Sequence, residues 1–149
     1  MKKGVIFFVI LFSSCFIYAQ QEIKMTIDEY NKEKEAILNA IINSIPFDSI
    51  NNIYLGSSYF VFAENEILYK DIPIVLMYKN QKIEIADCSQ MEENCYWVGD
   101  FFLNAYLENP KEARVQIELI SSKKKEDILF GITLEKREKW EITCFTQID

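Results

Sequence analysis

Histidine is absent from the 149 residues. Its absence excludes serine–histidine and cysteine–histidine catalytic arrangements within this chain, and any histidine-ligated zinc site. Acid–base chemistry is left to carboxylates, tyrosine and lysine. Positive charge is also scarce: 16 Lys and Arg stand against 23 Asp and Glu, a formal charge of −7. Nucleic acids and anionic membrane surfaces are held by basic patches, so neither is an expected partner. The one basic cluster, Lys123-Lys124-Lys125, runs into Glu126-Asp127 and reads as a solvated turn. No internal repeat, low-complexity tract or inter-domain linker interrupts the chain.

No apolar run is long enough to span a bilayer, which takes roughly 20 apolar residues. The longest, Val5 to Phe12, follows Lys2-Lys3 and precedes Ser13-Ser14-Cys15 and Ile17-Tyr18-Ala19. That is the order of a secretory signal: a positive start, an apolar centre and a small-residue cleavage site. Residues 1–19 are therefore expected to be a signal peptide and 20–149 a single domain, secreted or periplasmic. Cleavage after Ala19 leaves a soluble chain starting at Gln20. Cleavage before Cys15, with Phe12-Ser13-Ser14-Cys15 as a lipobox, gives a lipid-anchored envelope protein instead. Membrane association is expected only by that second route. Without residues 1–19, 14 basic side chains face 23 acidic ones and the charge deepens to −9.

Three of the four cysteines then remain. Cys88 and Cys95 flank a short polar loop, Ser89 to Asn94, and in an oxidising compartment that spacing suits a local disulfide. Two reduced structural cysteines are the alternative. Cys144 is unpaired by this count, and alternation with Trp140 and Ile142 places it as a buried thiol. No metal or other cofactor is implied, because the loop offers too few soft ligands and no EF-hand spacing occurs.

Thr26-Ile27-Asp28-Glu29 has the spacing of a capping box. Ile27, Tyr30, Ile37, Leu38, Ile41, Ile42 and Ile45 then form a helical stripe, with Asn31, Lys32, Glu33, Glu35, Asn39 and Asn43 opposite. The spacing predicts a helix over 27–45, stopped by Pro46. Asn51 to Phe62 reads as two short strands about Gly56-Ser57-Ser58. Ile72–Tyr78 and Lys82–Ala86 read as a hairpin about Lys79-Asn80-Gln81. Tyr96 to Leu107 carries three- and four-residue spacings of Trp97, Val98, Phe101, Phe102 and Ala105, which favour a short helix over a buried strand. The last third alternates cleanly in three segments, 113–119, 128–135 and 140–148, joined by charged turns. The fold class expected is α+β: an N-terminal helix packed on a curved antiparallel sheet that ends in a three-strand meander.

Near the end, Leu134-Glu135-Lys136-Arg137-Glu138-Lys139-Trp140-Glu141-Ile142 resembles the closing strands of nuclear transport factor 2-like domains, of the cystatin-like α+β kind. There a strand ends in a charged turn and a Trp-x-Ile/Val pair follows. The resemblance covers about ten residues and the coarse order of elements. It implies a cone-shaped α+β fold with a curved sheet wrapped around a helix. The short strands expected around Gly56 depart from that family, which places further helix there. Such a fold carries many functions, so function rests on a site.

The richest local segment is Asp87 to Asp100, with Asp87, Glu92, Glu93 and Asp100 beside the expected disulfide and Tyr96-Trp97. Tyr96, Trp97 and Asp100 are the candidate ligand-binding residues. Asp100 reads either as a helix cap or as a carboxylate facing a cone-shaped pocket. With no catalytic motif present, the first functional reading is a non-enzymatic domain that binds a small apolar ligand or a protein partner. The second is a carboxylate- or tyrosine-based isomerase or hydrolase of small molecules. It requires an acid facing an enclosed cavity. The third is a structural envelope protein without a ligand.

Overall fold

The computed structural model of the protein describes residues 23–56, 59–69, 73–88, 94–120 and 127–148. The expected signal peptide with Cys15, the acids Glu92 and Glu93, and the basic turn at 123–125 lie outside the described residues.

Helix α1 (Ile27–Ile42) starts on the expected capping box. The Thr26 hydroxyl accepts the Glu29 amide at 3.2 Å, and the Thr26 amide donates to the Glu29 carboxylate at 2.8 Å. The bond from the Thr26 amide foremost, and a second donated by the Thr26 hydroxyl to the same carboxylate at 2.9 Å, hold the Glu29 carboxyl below its usual range. Ile37, Leu38, Ile41 and Ile42 are fully buried, as the stripe requires, while Ile27 is exposed. The helix stops earlier than 45. Asn43 caps it, and Ser44 N-caps a second helix, α2 (Ile45–Ile50), by accepting the Phe47 amide. Pro46 therefore begins a helix instead of ending one. In a first turn its missing N–H has no partner to lose. A π-helical turn over Asn51–Leu55 follows and ends at Gly56, whose φ of 57° suits a residue without Cβ. The strand expected over 51–55 is thus helical. The strand expected after Gly56 is present as β1 (Phe60–Ala63).

The hairpin forms as β2 (Leu76–Tyr78) and β3 (Gln81–Ile83) about Lys79-Asn80. Both turn residues have positive φ, 48° and 65°, the two-residue turn that matches strand twist. β2 is tied to α1 along its other edge by side chains the sequence placed on a solvent face. Glu35 accepts the Val75 amide at 2.9 Å. Asn39 accepts the Met77 amide and donates to the Val75 carbonyl, both at 2.8 Å. Asn43 donates to the Met77 carbonyl at 2.7 Å. Four residues of helix rise about 6 Å, and two residues of strand span about 6.7 Å. Every fourth helical side chain thus meets every second strand residue, and α1 substitutes for a neighbouring strand.

β4 (Ile85–Ala86), β5 (Asn94–Leu103), β6 (Glu112–Ile120), β7 (Ile128–Lys136) and β8 (Trp140–Ile148) complete the molecule with β1. The main sheet runs β4-β1-β5-β6-β7-β8. It is antiparallel from β5 to β8, which is the expected meander extended by one strand, and parallel where β1 meets β4 and β5. The helix expected over 96–107 is corrected to β5. Its helix-like spacing arises because a bulge between Val98 and Asp100 breaks the two-residue period, while the strand pairs with β6 throughout.

The inner face packs on α1 and α2. Ala113, Val115, Ile117, Leu119, Phe130, Ile132 and Leu134 are buried, in the alternation the sequence shows. Between helices and sheet lies an aromatic cluster: Phe47 is 4.8 Å from Tyr96 and 5.9 Å from Phe60, and Phe62 stacks on Tyr96 at 5.7 Å. On the opposite face, Cys88 and Cys95 form the expected disulfide and bury Val61 and Ala63 beneath it.

Candidate functional site: the outer sheet face

Past the disulfide, the outer face of β5 to β8 lies open. Strand register arranges it in three ranks. Trp97, Glu118, Leu129 and Ile148 form the first; Asp100, Gln116, Gly131 and Thr146 the second; Phe102, Arg114, Thr133 and Cys144 the third. The second and third ranks, with Ile148, line a groove of about 590 Å³. Trp97 is 42% exposed, Phe102 53% and Ile148 40%. Three large apolar side chains therefore stand in solvent on one face, where polar residues are the usual occupants. Gly131 lowers the floor: a Cβ there would lie 3.1 Å from the Ile148 side chain. Asp100 and Glu118 share the face, and Arg114 is engaged by Glu112 at 2.7 Å. The surround is acidic.

Two bulges create this surface. The first, at Gly99, turns Asp100 and Phe102 outward and Phe101 inward, where Phe101 meets Tyr30 edge-on at 6.0 Å. The second lies between β7 and β8, where Thr133 pairs with Cys144 but Leu134 pairs with Ile142. The extra residue, Thr143, shifts the alternation by one. Trp140 and Ile142 face inward with Phe145, and Cys144 faces out, an exposed free thiol. The expected burial of Cys144 is therefore corrected, since its strand does not keep one period from end to end.

The structure brings Trp97 and Asp100 onto this one face. It sends Tyr96 the other way. Tyr96 is fully buried in the aromatic cluster, and its hydroxyl donates to the Asn51 side chain at 2.7 Å. Burial pushes its phenol well above the usual tyrosine range. Asp100 stands on an exposed strand, neither capping a helix nor entering an enclosed space. Phe102, Gly131, Thr146 and Ile148 complete the face. A strand reading of 94–103 with one bulge is the signal that places Phe102 beside Asp100.

Elsewhere the ionisable side chains hold elements together. Glu33 pairs with Lys136 and accepts the Trp140 indole N–H at 2.7 Å, docking α1 on β7 and β8. Asp48 takes the Tyr78 hydroxyl and, at 2.6 Å, the Lys79 ammonium; Lys79 first and Tyr78 second keep its carboxyl below the usual range. Lys34 is buried, its ammonium donating to the Ile67 carbonyl at 2.9 Å and lying 5.2 Å from the Tyr30 ring centre. Among the described residues, the buried polar side chains are Lys34, Asn51 and Asn94, and no carboxylate is buried. Among the same residues, no three Cys, Asp or Glu come together as a metal-binding group, and no helix is long and apolar enough to cross a membrane. No family model, curated protein or solved structure matches this chain.

Proposed function

We propose that this chain is a non-enzymatic binding domain, exported to an oxidising compartment, that holds a protein partner on the outer face of β5 to β8. The observation that carries the reading is the exposure of Trp97, Phe102 and Ile148 on one sheet face, where Phe102 and Ile148 line the groove and Trp97 stands in the first rank, toward the disulfide. Small-molecule sites bury most of their ligand in an enclosed cavity. This groove is open and suits an extended segment. Its acidic surround favours a segment with apolar side chains flanked by basic ones.

The enzymatic alternative calls for an acid facing an enclosed cavity, and Asp100, its first candidate, faces solvent. Export is supported by the Lys2-Lys3 and apolar start, by Ala19, and by the disulfide, which persists in oxidising compartments. A lipid on Cys15 would place the same domain at a membrane surface. We also propose a relationship to nuclear transport factor 2-like domains, which rests on the resemblance of Leu134–Ile142 to their closing strands.

Nile red, an uncharged apolar dye, tests the surface. Its fluorescence is expected to rise with the native chain and to fall severalfold with Phe102→Ser combined with Trp97→Ser. Ile45→Ser, at an exposed position on α2, should leave it unchanged. Equal enhancement by all three proteins would remove the outer face as a binding surface.

A further inference from the structure

We infer that β8 is a self-pairing edge: two copies of the chain join antiparallel along Cys144–Ile148, with the two-fold axis beside Thr146. β8 closes one end of the main sheet, and among the described residues no strand pairs with its far side. An edge strand presents unpaired amides and carbonyls, and proteins protect such edges with Lys, Pro, bulges or very short strands.

The two ends of this sheet differ in that respect. At the far end, β4 has two residues and offers almost no template. β8 has nine, and Ile142 to Ile148 reads Ile-Thr-Cys-Phe-Thr-Gln-Ile, seven residues with no charge and no proline. In a chain where 39 of 149 residues are Lys, Arg, Asp or Glu by the counts of 16 and 23, an uncharged edge stands out. The β-bulge at Thr143 ends regular pairing on one side, so the open template is Cys144–Ile148.

Antiparallel pairing about Thr146 sets Thr146 opposite Thr146, Phe145 opposite Gln147 and Cys144 opposite Ile148. Threonine pairs are favourable across strands, and like charges are not. Of the charges flanking the paired stretch, Glu141 is answered by Arg137 at 3.6 Å, and Asp149 follows Ile148 at the opposite end of the sequence stretch. Ile148, exposed in one copy, is covered by Cys144 of the other. One usable edge and one blunted edge give a closed two-fold dimer and no filament. Five residues bury less than the roughly 800 Å² per partner of a standard stable interface, so the dimer is weak and concentration-dependent. The inference does not depend on what the outer face binds.

Sedimentation velocity of the Cys15→Ser, Cys144→Ser chain tests it in the absence of any free thiol. A monomer–dimer equilibrium is expected below about 100 µM, with Thr146→Lys raising the dissociation constant at least roughly tenfold. In the Cys15→Ser, Cys144→Ser background, Thr146→Cys should yield a covalent dimer with oxidised glutathione. Two protein thiols form one disulfide there, and one glutathione disulfide becomes two thiols. Thr133→Cys, on the same face one strand inward, should not. A chain that stays monomeric at that concentration overturns the inference. So does a dimer indifferent to Thr146→Lys, or one that cross-links as fast from position 133 as from 146.

Discussion

Replacing Cys88 and Cys95 together by alanine is expected to lower the stability of the chain by about 2.5 kcal/mol on the chain-entropy model for so short a loop. The bridge closes residues seven apart in sequence, and its Cα atoms are 6.5 Å apart. Its effect goes beyond loop entropy. Cys95 lies on β5 opposite Ile120 of β6 and beside Val61 of β1, at the junction of the parallel and antiparallel parts of the sheet. The bridge also covers Val61 and Ala63 on the outer face. Urea denaturation at neutral pH checks this directly. The double variant should unfold at a lower midpoint, and adding a reductant should move the native chain to about the same place. A midpoint unmoved by either change would mean that the bridge contributes nothing to the fold.

Lys34→Met is expected to act in the opposite direction, stabilising the chain by about 1–2 kcal/mol because it removes a buried charge that has no acidic partner among the described residues. The Lys34 ammonium rests on one carbonyl and on the rings of Tyr30 and Phe101. Burial holds its pKa below the ordinary lysine value of 10.5. The folded state thus favours the neutral amine. Where both states are protonated, below the folded-state pKa, the charged amine destabilises the fold in full. As pH rises through the folded-state pKa toward 10.5, the unfolded chain holds the proton more firmly than the folded one, and that penalty is relieved. The advantage of the methionine variant should therefore be constant near neutrality and shrink in alkaline solution. Tyr30, whose pKa burial raises, titrates in the same region. Because Tyr30 touches Lys34, the comparison is made in a Tyr30→Phe background, where the difference between the two stability curves isolates Lys34. A variant less stable than the native chain, or a difference that ignores pH, would show that the carbonyl and ring contacts fully compensate the buried charge.

The sequence shows most clearly those elements whose period is unbroken. The capping box at Thr26 and the buried stripe from Ile37 to Ile42 follow from helical spacing. The alternation of Ala113, Val115, Ile117 and Leu119 follows from an uninterrupted strand. Difficulty begins where one inserted residue resets the period. Gly99 gives β5 the spacing of a helix, and Thr143 moves Cys144 from the inner face to the outer. Pro46 misleads for a different reason. It is compatible with a helix start and a helix end, and only Ser44 as a cap decides between them. Asn39 and Asn43 read as solvent-facing because polarity marks them so, yet their amides serve the β2 backbone, a partner distant in sequence. The candidate site was half legible. Trp97 and Asp100 stand together on the outer face, whereas Tyr96, their neighbour in sequence, points into the core, as adjacent strand residues must. Phe102, Gly131 and Ile148 join them only through cross-strand register, which local pattern does not carry.

The outer face as a partner surface is tested most directly by photo-cross-linking in the cells that make the protein. A benzophenone side chain placed at Phe102 is compared with one at Glu138, an exposed position on the turn before β8. A discrete adduct is expected from position 102, heavier than the chain by the mass of one partner, and none from position 138. No adduct from 102, an equal yield from both positions, or an adduct of only twice the chain's own mass would contradict it.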